Sequence, residues 1–122
     1  MTRRGDRRAA LFALYRWDLT GRPLEVDDEA GDYARHLADD VAEQAADLDA
    51  KITRASQDWT ADRLGVVERN VLRIAIHEIE TGLAPPEVAI DEAVTLAKRY
   101  ATDDAGRLVN GILGRVAREP TR

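Results

Sequence analysis

Apolar residues recur every three or four positions along most of the chain, and no stretch alternates with a period of two. The pattern is interrupted at Gly21-Arg22-Pro23, at Gly82 followed by Pro85-Pro86, and at Pro120, the residue types that end helices. The first segment predicts a helix over about residues 4–19, with Ala10, Leu14 and Trp17 on one face and Leu11, Tyr15 and Leu19 beside them. In the second, Tyr33, Leu37, Val41, Ala45, Leu48 and Ile52 repeat at helical spacing. That predicts one long amphipathic helix with acids on its other face. The segment RLGVVERNVLRIAIHEIETG is apolar around more than half its circumference, through Val67, Val71, Leu72, Ile74, Ala75, Ile76 and Ile79. A helix of that kind belongs at the centre. PPEVAIDEAVTLAKRYA predicts a helix with Asp91 as N-cap and Ala93, Val94, Ala97 and Tyr100 inward. TDDAGRLVNGILGRVARE predicts another, capped by Thr102 or Asp103, with Asp104 in its first turn and Leu108, Val109, Ile112, Leu113 and Val116 inward. The expected class is all-α.

Length bounds the organisation: 122 residues make a single domain, 1–122, with one sizeable core. No apolar run approaches the ~20 residues of a membrane span. Arg16 and Asp18 interrupt the only apolar stretch near the N-terminus that could resemble a signal peptide. The absence of cysteine excludes disulfides and thiolate metal sites and fits a reducing cytoplasm.

Charge changes the picture more. The net charge is -5, yet residues 1–23 carry six arginines against Asp6 and Asp18, a local +4. Residues 24–62 carry twelve acids against three bases, a local -9, and residues 63–122 balance at nine each. The Debye length at physiological salt is about 8 Å, so a partner at the N-terminal end meets the arginines rather than the distant acids.

Catalytic chemistry finds little purchase. The two histidines, His36 and His77, fall in different segments, and HEIET at 77–81 has Thr81 where a zinc-protease helix needs a second histidine. Gly106, Gly111 and Gly114 lie inside a predicted helix and form no phosphate loop. Asp27-Asp28 and Asp39-Asp40 lack calcium-loop spacing. Adjacent acids such as Asp103-Asp104 point apart on a helix. No nucleophile, base and orienting group emerge together, so a binding protein is the expectation.

The arginine run then becomes the candidate chemistry. On a helix Arg4, Arg7 and Arg8 share a face, with Arg3 at its start. Cations near the positive end of the helix dipole, and Gly5 in the first turn, predict a frayed end that Asp6 only partly offsets. Such a turn is a solvated terminus, or one that orders on the phosphates of an RNA.

Four stretches, RRAALFALYRWDLTG, DRLGVVERNVLRIAIHEI, PPEVAIDEAVTLAKRY and RLVNGILGRVA, favour the second reading. In this order and spacing the chain resembles the NusB family of bacterial transcription antitermination factors over residues 3–118, most weakly across 22–58. The resemblance implies an all-α fold of about seven helices in two subdomains, with no catalysis and no cofactor or metal. It implies binding to the boxA element of ribosomal RNA leader transcripts, jointly with ribosomal protein NusE, in an RNA polymerase antitermination complex. It also implies a homodimer as an alternative partner state. Position by position, the family's arginine-rich start falls on Arg3, Arg4 and Arg7, with Arg8 where a glutamate is common. Tyr15 becomes a base-stacking or hydroxyl contact, or else a core residue beside Trp17. Arg107 faces phosphate, and Asp104 faces a base edge or simply serves the helix dipole. Asn110 and Gly111 fall on structural positions, the asparagine bonding backbone and the glycine allowing close helix approach. Asp62 and Glu68 fall on the NusE-facing side. His77 stands where tyrosine is common. Two other readings compete: a purely helical dimer module, and an RNA-binding domain like the one preceding the catalytic domain of some ribosomal RNA cytosine methyltransferases. The latter is expected to continue beyond Arg122, the last residue here.

Overall fold

Six helices follow the chain in a computed structural model that describes residues 2–57 and 59–119; Met1 and the predicted stop at Pro120 lie outside the described residues. They are α1 Arg3–Thr20, α2 Asp32–Glu43, α3 Ala45–Ser56, α4 Val66–Thr81, α5 Pro86–Tyr100 and α6 Asp103–Arg118, with a single 3-10 turn at Ala61–Arg63 between α3 and α4. There is no strand among the described residues. The all-α expectation holds, with six helices where about seven were expected.

Helix α4 is the centre. Every residue from Asn70 to Glu78 is buried, and α4 packs against all five other helices. Its apolar circumference is why: a helix with no polar stripe wide enough to face water is stable only when surrounded. Helices α1 and α2 pack together on one side, and α5 and α6 on the other. One hydrophobic cluster, running from Ala10 and Leu14 through Leu72 and Ile76 to Ile112 and Leu113, spans both groups. The two groups therefore share a core through α4.

The long helix expected across 33–52 is instead two, broken at Gln44 (φ -100°, ψ 12°). Hydrogen bonds continue across the break, from Gln44 N–H to Asp40 O and from Leu48 N–H to Gln44 O. The reason lies in packing. Helix α2 lies mainly on α1, while α3 lies on α4 and α6, so the chain bends to deliver both apolar stripes. Asp91 is not a cap either: α5 starts five residues earlier, with Pro85 at the N-cap and Pro86 in the first helical position, where a missing N–H costs nothing. Thr102 does cap α6, its hydroxyl accepting from Ala105 N–H at 3.0 Å, and Asp104 sits in that helix's first turn.

Gly111 is not the close-approach glycine. A Cβ there would meet only Arg115 Nη1 at 3.9 Å, whereas at Gly106 it would stand 2.6 Å from Lys98 Cγ of α5. Asn110 is exposed. His77 is buried, and its Nε2 makes no hydrogen bond; Asp40 Oδ2 of α2 lies 3.5 Å away.

Leu72 is fully buried on the central helix, so Leu72→Ala would open a cavity at the hub. Its unfolding free energy, measured in urea, is expected to fall by about 2–5 kcal/mol.

Candidate nucleic-acid interface

The arginine end of α1 is built as a firm helix start, contrary to the frayed turn its sequence predicts. Thr2 is the N-cap, its hydroxyl accepting from Gly5 N–H at 3.0 Å. Gly5 and Asp6 are buried. Asp6 reaches across to accept from Gly31 N–H at 3.1 Å, so the turn before α2 is pinned to the first turn of α1.

Arg7 supplies the strongest tether. Its side chain is 7% exposed, and its Nε donates to both oxygens of Glu78 on α4, at 3.0 and 2.9 Å. Its Nη1 lies 3.4 Å from Glu92 Oε1 of α5. The Tyr33 hydroxyl of α2 also donates to Glu78. Burial, that hydrogen bond and the negative charge of Glu78 together push the Tyr33 phenol above its ordinary pKa, which keeps it a donor. A buried carboxylate is tolerated only when its lone pairs are filled in this way. Arg7 is therefore corrected from a surface contact to a buried anchor.

The other three arginines remain outside. Arg4 is exposed and donates to both oxygens of Glu92, at 3.1 and 3.2 Å. The guanidinium of Arg3 lies over the Tyr33 ring, 3.7 Å from its centroid. Arg8 is half-buried beside Arg4 along the α1–α5 seam.

Tyr15 is at the surface, not in the core beside Trp17. It lines an open groove with Leu11, Phe12, Arg16, Val67 and Tyr100. Trp17 takes the core-facing place instead. Glu68 is half-buried in the first turn of α4, next to Val67 of that groove, with its carboxylate folded against Gly65. Asp62 is exposed on the 3-10 turn and accepts from the Thr60 hydroxyl, which chiefly holds its carboxyl below the usual range. Asp104 and Arg107 are both exposed and pair with each other across one turn of α6. Asp104 follows four residues after Tyr100, whose ring meets that of Phe12 of α1 in a T-shaped arrangement.

Sequence reasoning missed a second charged network at the far end of α1. Asp18 accepts from Arg69 Nε at 2.9 Å, Asn70 Nδ2 at 3.0 Å and Arg73 Nη1 at 3.0 Å. Arg73 also holds Asp49 of α3 through two bonds of 2.7 Å. Burial pushes the Asp18 carboxyl up, but Arg69, Arg73 and Asn70 outweigh it and the net shift is downward. Both ends of α1 are thus clamped to α4 by charge. The available signal was a Glu and two Arg on the helix least able to face water.

No group of three or more His, Asp or Glu among the described residues is placed to hold a metal ion, and no helix there is long and apolar enough to cross a membrane. Fold and surface together define a small helical-bundle protein that presents arginines and aromatic rings from one clamped helix. The chain belongs to the NusB family, whose sequence profile matches residues 4–118. It is 34% identical to the transcription antitermination protein NusB of Solibacter usitatus, across 97% of this chain and 90% of that one. It is 39% identical to the NusB of Salinispora tropica, across 98% of both. Among solved structures, Thermotoga maritima NusB superposes with a TM-score of 0.88 at 37% identity, covering 98% of this chain and 92% of that one. A crystal structure of the antitermination factors NusB and NusE in complex with dsRNA gives 0.82 at 32% identity, covering 93% and 94%.

Two outcomes follow for stability. Arg7→Ala strands Glu78 and is expected to cost about 3–5 kcal/mol in urea unfolding, whereas Arg3→Ala costs about 1 kcal/mol at most. Asp18 has a lower pKa folded than unfolded, so its stabilisation is full above about pH 4 and is lost as pH falls through the folded value. The gap in thermal midpoint between the unaltered protein and Asp18→Asn is therefore expected to close on acidification.

Proposed function

We propose that this protein is an RNA-binding transcription antitermination factor without catalytic activity. It binds the boxA element of ribosomal RNA leader transcripts together with NusE and acts within an RNA polymerase antitermination complex in the cytoplasm. The observation that carries this reading is the clamped, outward-facing arginine end of α1 in a member of the NusB family. Pre-organised cations lose little entropy when a phosphate docks. Arg3, Arg4 and Arg8 contact phosphate in this reading, and Arg7 positions them. Tyr15 meets a base, and Arg107 and Asp104 extend the surface onto α6. Glu68, beside the Tyr15 groove, and Asp62, on the 3-10 turn, face NusE. The similarity to a NusB bound to NusE and dsRNA supports the choice of partners.

A homodimer covering α1 is the competing reading, favoured by the exposure of Phe12 and Leu19, 49% and 57%. Light scattering with and without RNA separates the two.

Binding to a boxA-containing single-stranded RNA, followed by fluorescence anisotropy across a salt series, is expected to tighten with NusE. The Arg3→Ala/Arg4→Ala double variant is expected to lower the salt slope by about 1.4, close to 0.7 per lost contact. An unchanged slope would remove these arginines from the interface.

A further inference from the structure

Phe12 projects from α1 one turn beyond Arg8, an arginine that no carboxylate holds among the described residues. Its ring is 49% exposed and packs against the edge of Tyr100 on α5, 5.1 Å between centroids. Two shallow grooves border it, and a third is walled by Arg8 and Tyr100. Phe12 and Arg8 border one, Phe12 and Tyr100 a second, and Arg8, Arg99 and Tyr100 a third. Arg8, Phe12 and Tyr100 are thus shared walls: two of the grooves run between α1 and α5, and the one lined by Arg8 and Phe12 lies between α1 and the segment holding Glu25 and Asp27.

The charges lining these grooves are unevenly satisfied. Among the described residues Arg8 and Arg99 have no ion-pair partner, while Arg4 and Arg7 are tied to Glu92 and Glu78. Arg99 instead lies over the Tyr100 ring, 5.5 Å from its centroid. The acids at the rim are engaged elsewhere: Glu92 by Arg4 and Arg7, Glu25 by Arg16, and Asp27 by the Glu29 N–H. Arg99 also sits in the last turn of α5, where a cation suits the helix dipole. That role accounts for its charge but not for its sharing a groove with Arg8 beside Tyr100, the ring on which Phe12 packs.

The occupant this chemistry fits has a flat π-face and negative charge on both sides. An unpaired nucleotide has both: the base stacks on an aromatic ring, and arginine forks take the flanking phosphates. An acidic peptide would use the arginines and leave the ring idle. We propose that Arg8, Phe12, Arg99 and Tyr100 form a base-stacking subsite for one unpaired nucleotide of single-stranded RNA. The inference rests on the RNA-binding reading above and adds α5 to it.

The test uses the full chain with NusE and a boxA-containing single-stranded RNA, read by anisotropy over a salt series, with circular dichroism to confirm folding. Phe12→Leu keeps apolar bulk and loses the ring; affinity is expected to fall about 5- to 150-fold with the salt slope unchanged. Phe12→Trp is expected to restore it. Arg8→Gln and Arg99→Gln are each expected to lower the slope by about 0.7. One abasic position in the RNA is expected to weaken the unaltered protein and leave Phe12→Leu unaffected. If the unaltered protein binds and all these variants match it, the subsite is overturned and the RNA reading stands. If the unaltered protein does not bind, both fall. If the variants instead dissociate a dimer in light scattering with RNA affinity unchanged, the seam belongs to a second copy and the subsite is overturned.

Discussion

Arg7 and Glu78 meet almost out of reach of water, their side chains 7% and 1% exposed and 2.9 Å apart. The position of α1 depends on this pair. Glu78 lies on the one helix that touches all the others, so whatever it holds is referenced to the centre of the bundle. Each partner of Glu78 belongs to a different element: Arg7 on α1 and Tyr33 on α2, with Glu92 of α5 approached through Arg7. A buried ion pair contributes little net stability compared with apolar packing of the same volume. What it contributes is register. Slide α1 by one residue and a charge is left unpaired in the core, a state costing several kcal/mol. Leucines packing on leucines would tolerate that slip far better.

The same device recurs about three turns along α1, where Asp18 gathers Arg69, Asn70 and Arg73 from α4. The hand of the pairing is reversed: at the N-terminal end α1 supplies the cation, and at the other end the anion. Two charged clamps of opposite sense fix both position and direction of α1 on α4. Between them the contact is apolar, through Leu11 and Leu14, and the outer face is free to carry function.

Elements were legible wherever apolar spacing was decided by one packing partner. Helix α4 could be read as central because more than half its circumference was apolar, and α6 could be read down to a cap at Thr102 or Asp103. The Gln44 break was hidden because Val41, Ala45 and Leu48 keep helical spacing straight through it; only the separate partners of α2 and α3 require the bend. The arginine face was legible as a face but not as a division of labour. Spacing makes Arg4, Arg7 and Arg8 equivalent, and what separates them lies far along the chain, Glu78 at 71 residues and Glu92 at 85 residues from Arg7. The frayed first turn was misread for the same reason: Asp6 was weighed as a local charge, whereas it is a tether to Gly31.

The acidic composition and the positive helix end are then parts of one arrangement. Carboxylates decide which arginines are structural by reaching them. Glu78 and Glu92 draw Arg7 inward and steady Arg4, Asp18 and Asp49 do the same for Arg73, and Glu25 lies against Arg16. Arg3, Arg8 and Arg99 are left with aromatic neighbours or none. A guanidinium without a carboxylate keeps its full set of donors for a phosphate, and one beside an exposed ring keeps a stacking plane as well. A surface of this kind is specified by where acids are withheld as much as by where arginines are placed. In the first eight residues Asp6 is the only acid, and it is turned into the protein.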